Sequence, residues 1–208
     1  MGKTYKILYE GKSAELIEKK SRFIAHLMPV ETEDEALLFI EEIKKKYWDA
    51  RHNCYAYVIG ENSELQRFSD DGEPGGTAGK PMLEVLLGEE IHNIVVVVTR
   101  YFGGVLLGTG GLVRAYGRTT KAGLEASVIK TRVAGYKLIM HTDYNGIGKI
   151  QYIIATMGIV NHSEEYAENV TATMMVREED CDKLIKQITE ATAGKAEIEE
   201  PEECYFLE

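Results

Sequence analysis

The sequence lacks any apolar run near the roughly 18–20 residues that would span a bilayer. Its first residues, Met1-Gly-Lys-Thr-Tyr-Lys, lack the hydrophobic stretch of a signal peptide. Cysteine is scarce: Cys54, Cys181 and Cys204 are an odd, widely spaced set with no C-x-x-C pair. That pattern argues against a disulfide framework and against a zinc site, and it fits free thiols in a reducing, cytoplasmic setting. A basic excess is missing too. The formal net charge is -10 over 208 residues. Residues 1–132 hold 18 Lys and Arg against 19 acids, whereas residues 133–208 hold 6 against 15. A phosphate backbone needs clustered cations, so any nucleic-acid site must be a local patch in the first part. The charge shift also marks two units, with a boundary near Arg132.

What the sequence has in plenty is glycine in one place. Ten of its twenty glycines lie between Arg67 and Tyr116, in loops crowded with charged and small residues. Asp70-Asp-Gly-Glu-Pro74 runs into Gly75-Gly-Thr-Ala-Gly79-Lys-Pro81, where Pro81 is expected at a first helical position. Ile94-Val-Val-Val-Val98 is a β-branched run without alternation, the mark of a strand buried on both faces. After Arg100-Tyr-Phe-Gly-Gly104, Gly108-Thr-Gly-Gly111 opens a helix. At 100° per residue, Leu112, Ala115, Tyr116, Thr119, Ala122, Gly123 and Ala126 share one face, opposite Arg114, Arg118, Lys121 and Glu125.

Around this centre the pattern predicts strands over 21–30, 51–60 and 65–69 and a helix from Glu31 to about Tyr47, with acids at its start and Lys44 to Lys46 at its end. From Val133 the pattern restarts as strand (134–142), helix (147–157), strand (159–166), strand (169–176), helix (180–192) and strand (195–206). That order is the ferredoxin-like βαββαβ arrangement. Gly158 and Gly194 read as helix C-terminal glycines, and Asp180 as an N-cap.

The loops resist assignment to common catalytic motifs. A phosphate-binding P-loop fails because Pro74 stands where its first Gly belongs and Pro81 replaces the hydroxyl residue. Gly108 to Gly111 lacks the third Gly of a dinucleotide fingerprint. Those glycines lead into a helix N-terminus that suits a small anion, but they serve tight turns and close packing equally well. Asp70, Asp71 and Glu73 have the oxygens for a hard cation; they also suit turns, or pairing with Arg67 or Arg100. His52 and Cys54 share a strand face, yet Cys54 sits in an apolar strand where a thiol is inert. The expectation is therefore no catalytic residue, no metal and no cofactor.

Four blocks resemble the IMPACT/YigZ family: Lys20-Ser-Arg-Phe-Ile-Ala25, Ala50-Arg-His-Asn-Cys-Tyr-Ala56, Ser69-Asp-Asp-Gly-Glu-Pro74 with Gly76-Thr-Ala-Gly79, and Arg100-Tyr-Phe-Gly-Gly104 with Leu107-Gly-Thr-Gly-Gly-Leu-Val-Arg114. The resemblance implies an α+β fold. A ribosomal protein S5 domain 2-like unit would be followed by a ferredoxin-like unit similar to the last domain of elongation factor G. It implies a role as a translation-linked regulator. Eukaryotic members restrain amino-acid-starvation signalling and carry an added N-terminal RWD domain; with no counterpart expected here, the starvation-kinase role is not carried over. The expected partner is RNA, the ribosome or a translation-associated protein. It would dock through His52, Asp70, Asp71, Glu73, Gly75, Gly76, Thr77, Gly79, Arg100, Tyr101, Gly103, Gly104, Gly108, Gly110, Gly111, Arg114, Arg118 and Lys121. The alternative is an enzyme or sensor that holds a phosphorylated small molecule at Gly108 to Gly111, with room for a divalent metal at Asp70 and Asp71.

Overall fold

A computed structural model describes residues 2–160 and 162–208. The chain forms two compact units, Tyr5–Thr131 and Arg132–Glu208, with residues 2–4 grouped with the second. In the first, β1 (Tyr5–Glu10), β2 (Ser13–Glu18) and β3 (Ser21–Pro29) lead to α1 (Glu33–Lys46). Next come β4 (His52–Ile59), β5 (Leu65–Ser69) and α2 (Gly79–Gly88), then β6 (Ile91–His92), β7 (Ile94–Tyr101) and α3 (Thr109–Ala126). Strand β8 (Val128–Thr142) carries the chain across the division between Thr131 and Arg132.

The main sheet has the order β2-β3-β7-β4-β5 and is antiparallel throughout. Its middle strand is β7, whose β-branched residues are buried on both faces, as expected. Side chains alternate across the sheet. Phe23, Ala25, Leu27, Cys54, Ala56, Val96 and Val98 meet α2 and α3 on one face. Val95, Val97, Tyr57 and Ile59 meet Ala36, Ile40 and Ile43 of α1 on the other. Helix α1 starts with a reciprocal cap between Thr32 and Glu35. This α+β layering is of the S5 domain 2-like kind.

The second unit continues with α4 (Tyr144–Met157), β9 (His162–Tyr166), β10 (Val170–Arg177), α5 (Glu178–Ala191), β11 (Glu197–Ile198) and β12 (Glu202–Leu207). Strand β8 lies between β10 and the β11/β12 pair, and β9 lies beyond β10, all antiparallel. That is the ferredoxin-like order. Its core joins Leu138, Met140 and Met174 of the sheet to Ile150 and Ile154 of α4 and Leu184 and Ile188 of α5.

Several local expectations are corrected. Helix α2 starts at Gly79, so Pro81 is its third residue; its amide would have been free of a helical partner there in any case. Helix α5 starts at Glu178 after Arg177, which places Asp180 within the first turn instead of at the cap. The strand expected over 195–206 is broken in two around Pro201, which cannot donate a ladder hydrogen bond. On α3, Ala126 is exposed and Ala122 half-buried, while Thr120 and Leu124 are buried, because α3 packs on α2 as well as on the sheet. The strand expected from Ile159 begins at His162, because the Ile159 amide closes α4 onto the Ile154 carbonyl. Asn161, inside that expected strand, lies outside the described residues. Gly158 does adopt the left-handed conformation that ends α4.

Candidate functional site

Antiparallel alternation brings four connections to one end of the main sheet: the β2–β3 turn, and the α1–β4, β5–α2 and β7–α3 loops. Register sets their neighbours. Arg100 lies opposite Phe23 on one side and His52 on the other, and Tyr101 lies opposite Arg22. Most of the sequence-predicted site residues are therefore assembled, although not all of them face outward.

The acids are spent inward. Asp70 accepts hydrogen bonds from the amides of Gly76 (2.7 Å), Ala78 (3.0 Å) and Gly79 (2.9 Å). It thereby caps α2, whose own N-cap residue, Ala78, has no side-chain oxygen to offer. Asp71 accepts from the Asn53 amide at 2.7 Å and pairs with Lys44 at 3.5 Å. Its carbonyl meets His52 Nδ1 at 2.9 Å. Among the described residues no three His, Cys, Asp or Glu side chains gather as a metal would need.

Glu73 is the hub of a buried network. It accepts from Arg100 Nη1 at 2.6 Å and from the Tyr116 hydroxyl at 2.9 Å. Arg100 is only 6% exposed, and its guanidinium lies over the rings of Phe23 and Phe102. The sequence suggests Arg100 for a docking surface; in the fold its charge is matched inside the protein. Tyr116 also neighbours Cys54, 3.3 Å from its sulfur. Burial pushes the Cys54 thiol and the Tyr116 hydroxyl far above their ordinary values, so both stay protonated. A protonated, buried thiol is no nucleophile, and His52 is engaged with Asp71 instead of with Cys54.

Two glycines are set by close approach. A side chain at Gly79 would meet the Ser69 backbone at 2.6 Å, and one at Gly103 would meet the Lys20 carbonyl group at 2.0 Å. The Gly103 amide also donates to Ser21 Oγ at 3.1 Å, which locks the β7–α3 loop onto the β2–β3 turn. Thr77 is buried and bonds to the Pro74 carbonyl at 2.6 Å.

The outward part of the site is different in character. Phe102, Val105 and Leu106 are exposed, with Leu106 at 82%. Gly75, Gly104, Gly108 and Gly110 are exposed and Gly76 and Gly111 half-buried, so these loops line the same surface. Arg118 pairs with Glu18 at 3.3 Å and Lys121 with Glu89 at 3.2 Å. Arg114 is exposed and makes no ion pair among the described residues. Tyr101 donates to Asp49 at 2.8 Å. Sequence reasoning missed Ser21, Tyr116 and Trp48 as members of this end. In the sequence Tyr116 is visible only as an apolar-face residue, and its hydroxyl contact needs the helix placed on the sheet.

The Impact N-terminal domain matches residues 19–124, and a domain of unknown function, DUF1949, matches residues 140–195. The IMPACT family member YvyE of Bacillus subtilis is 45% identical over 206 residues, covering 98% of this chain and 94% of its own. The chain belongs to the IMPACT family. A second member, from Haemophilus influenzae, is 37% identical over 193 residues, 90% of this chain and 94% of its own. The family fold is also seen in the crystal structure of a hypothetical protein with a TM-score of 0.62 and 31% identity, covering 95% of this chain and 97% of its own. No helix of the described residues is long and apolar enough to cross a membrane.

Proposed function

We propose that this protein is a non-enzymatic, cytoplasmic binding protein linked to translation. It docks on RNA, the ribosome or a translation-associated protein through the loop end of the first unit. Family membership supports the translation link, through the regulatory role that eukaryotic members play. The observation that carries the docking reading is the split between inside and outside. The polar groups that would do chemistry (Asp70, Glu73, Arg100, Tyr116 and Cys54) are bonded to one another or to backbone. The exposed remainder is apolar and basic: Phe102, Val105 and Leu106 beside Arg114. A rigid base under an exposed apolar and cationic rim suits recognition rather than turnover.

The test is co-sedimentation of the purified protein with ribosomes at low and physiological salt, beside an Arg114→Ala/Arg118→Ala variant. These two side chains are exposed, so the change leaves the core intact, which Arg100→Ala would not. Sedimentation of the wild type that is lost in the variant supports the reading. A wild type that stays in the supernatant at both salts removes the ribosome as the partner, and a variant that sediments equally well overturns the assignment of this face.

A further inference from the structure

The charge of the first unit is sorted by end. At the loop end, residues 18–22, 44–52, 69–80 and 100–114 hold ten Lys and Arg against five acids. At the opposite end, residues 29–35, 59–65 and 88–94 hold eight acids and no Lys or Arg. A chain of net charge -10 thus turns a positive face outward at one place.

The five acids of the loop end are all engaged. Glu18 pairs with Arg118, Asp49 accepts from Tyr101, Asp70 caps α2, Asp71 pairs with Lys44, and Glu73 is buried with Arg100. The cations Lys19, Lys20, Arg51 and Arg114 have no ion pair among the described residues. Two exposed aromatic rings lie in loops of the same end. Trp48 is 82% exposed and Phe102 49% exposed, and the contacts of Asp49 and Arg100 tie their loops to the same strand end. Unneutralised cations and exposed aromatic rings at one end are what a single strand needs: phosphates meet the cations and unstacked bases lie on the exposed side of the rings. A duplex keeps its bases stacked and offers nothing to Trp48. An acidic protein would satisfy the cations but leave the rings idle.

We infer that the loop end of the first unit binds single-stranded RNA, with Trp48 and Phe102 as stacking platforms and Lys19, Lys20, Arg51 and Arg114 on the phosphates. This rests on the docking reading above and names its partner.

Trp48 is the sole tryptophan, so its fluorescence reports directly on the site. The full chain is titrated with a 12-residue oligouridylate, with a 12-base-pair RNA duplex and with polyglutamate. Quenching by the single strand alone is expected, with affinity that falls steeply as salt rises. By anisotropy of a labelled oligouridylate, Trp48→Ala should weaken binding roughly 5- to 150-fold. Lys20→Ala/Arg51→Ala should make the salt dependence shallower by about 0.7 for each phosphate that is no longer neutralised. Equal binding of duplex, or polyglutamate binding as tightly as the single strand, overturns the inference, and so does a Trp48→Ala protein with unchanged affinity. Oligonucleotide binding absent while ribosomes still carry the protein down removes the RNA assignment and leaves docking intact. Oligonucleotide binding without ribosome co-sedimentation keeps the RNA assignment and removes only the ribosome from the docking reading.

Discussion

At the scale of single residues, two buried polar groups carry the sharpest expectations. Glu73 and Arg100 form an ion pair whose side chains are 3% and 7% exposed. Removing one partner strands a buried charge, which typically costs about 3–5 kcal/mol, whereas removing both leaves no charge to strand. Urea unfolding should therefore show Arg100→Ala or Glu73→Ala strongly destabilised and the double variant less so than the sum of the singles. Additive losses would mean that the pair is not coupled. His26 makes the second case. It is 4% exposed, its Nδ1 meets Ser13 Oγ at 3.1 Å, and its Nε2 has no partner. Burial pushes it down to about 4 from an ordinary 6.5, with Lys46 adding to the effect. The unfolded chain then binds a proton more readily than the folded one. Stability owed to neutral His26 is complete above pH 6.5 and is lost as pH falls toward about 4, by about 3 kcal/mol. Unfolding free energies over about pH 4–7 should fall less steeply for His26→Gln than for the wild type; parallel curves would show that His26 does not titrate this way.

Elements come next, and here the caps decide. Helix α2 begins with no side-chain cap of its own, and Asp70 supplies one from the loop before it. Asp70→Ala removes the acceptor for three backbone amides and should cost about 1–2 kcal/mol, the upper part of the range of about 0.5–2 kcal/mol for one cap. Amide exchange at Gly76, Ala78 and Gly79 should quicken while the β7 amides stay protected. Uniform quickening would point to global unfolding instead. Asp143 caps α4 in the same way, through the amides of Asn145 and Gly146. The two caps differ in how close they lie to their helices. Asp143 sits directly before its helix, which begins three residues earlier than the pattern predicts, while Asp70 lies eight or nine residues from the α2 amides that it serves. Only the folded loop brings it there.

On the scale of the whole molecule, overall charge and local field part company. A pI near 5.1 predicts no affinity for polyanions at neutral pH. The sorted ends of the first unit predict the contrary at low salt, because exposed charges act within a screening length of about 10 Å and not as a sum. The wild type should be retained on a heparin column at about pH 7 and low salt, and Lys19→Glu/Lys20→Glu should flow through. A wild type that passes unretained would show that the acidic remainder of the chain cancels the field.

The sequence alone located most of the elements, though not β1, β2 or β6, and the ferredoxin-like order of the second unit, because periodicity is local: β7 opens on unbroken Ile and Val, α1 on acids, and α4 ends at Gly158. The fold type of the first unit came from the family resemblance. The sequence also located the loops in which the conspicuous residues gather. Tertiary structure decided which of those residues face the solvent. Arg100 and Arg114 look alike in the sequence, yet the first enters the β7 ladder beneath α3, beside Glu73, while the second rides the outer face of α3. The same assembly brought Lys19, Lys20 and Trp48, distant in sequence and ordinary in composition, to the end where Phe102 emerges. Which charges are matched depends on strand register and helix placement, and no spacing within one segment encodes that.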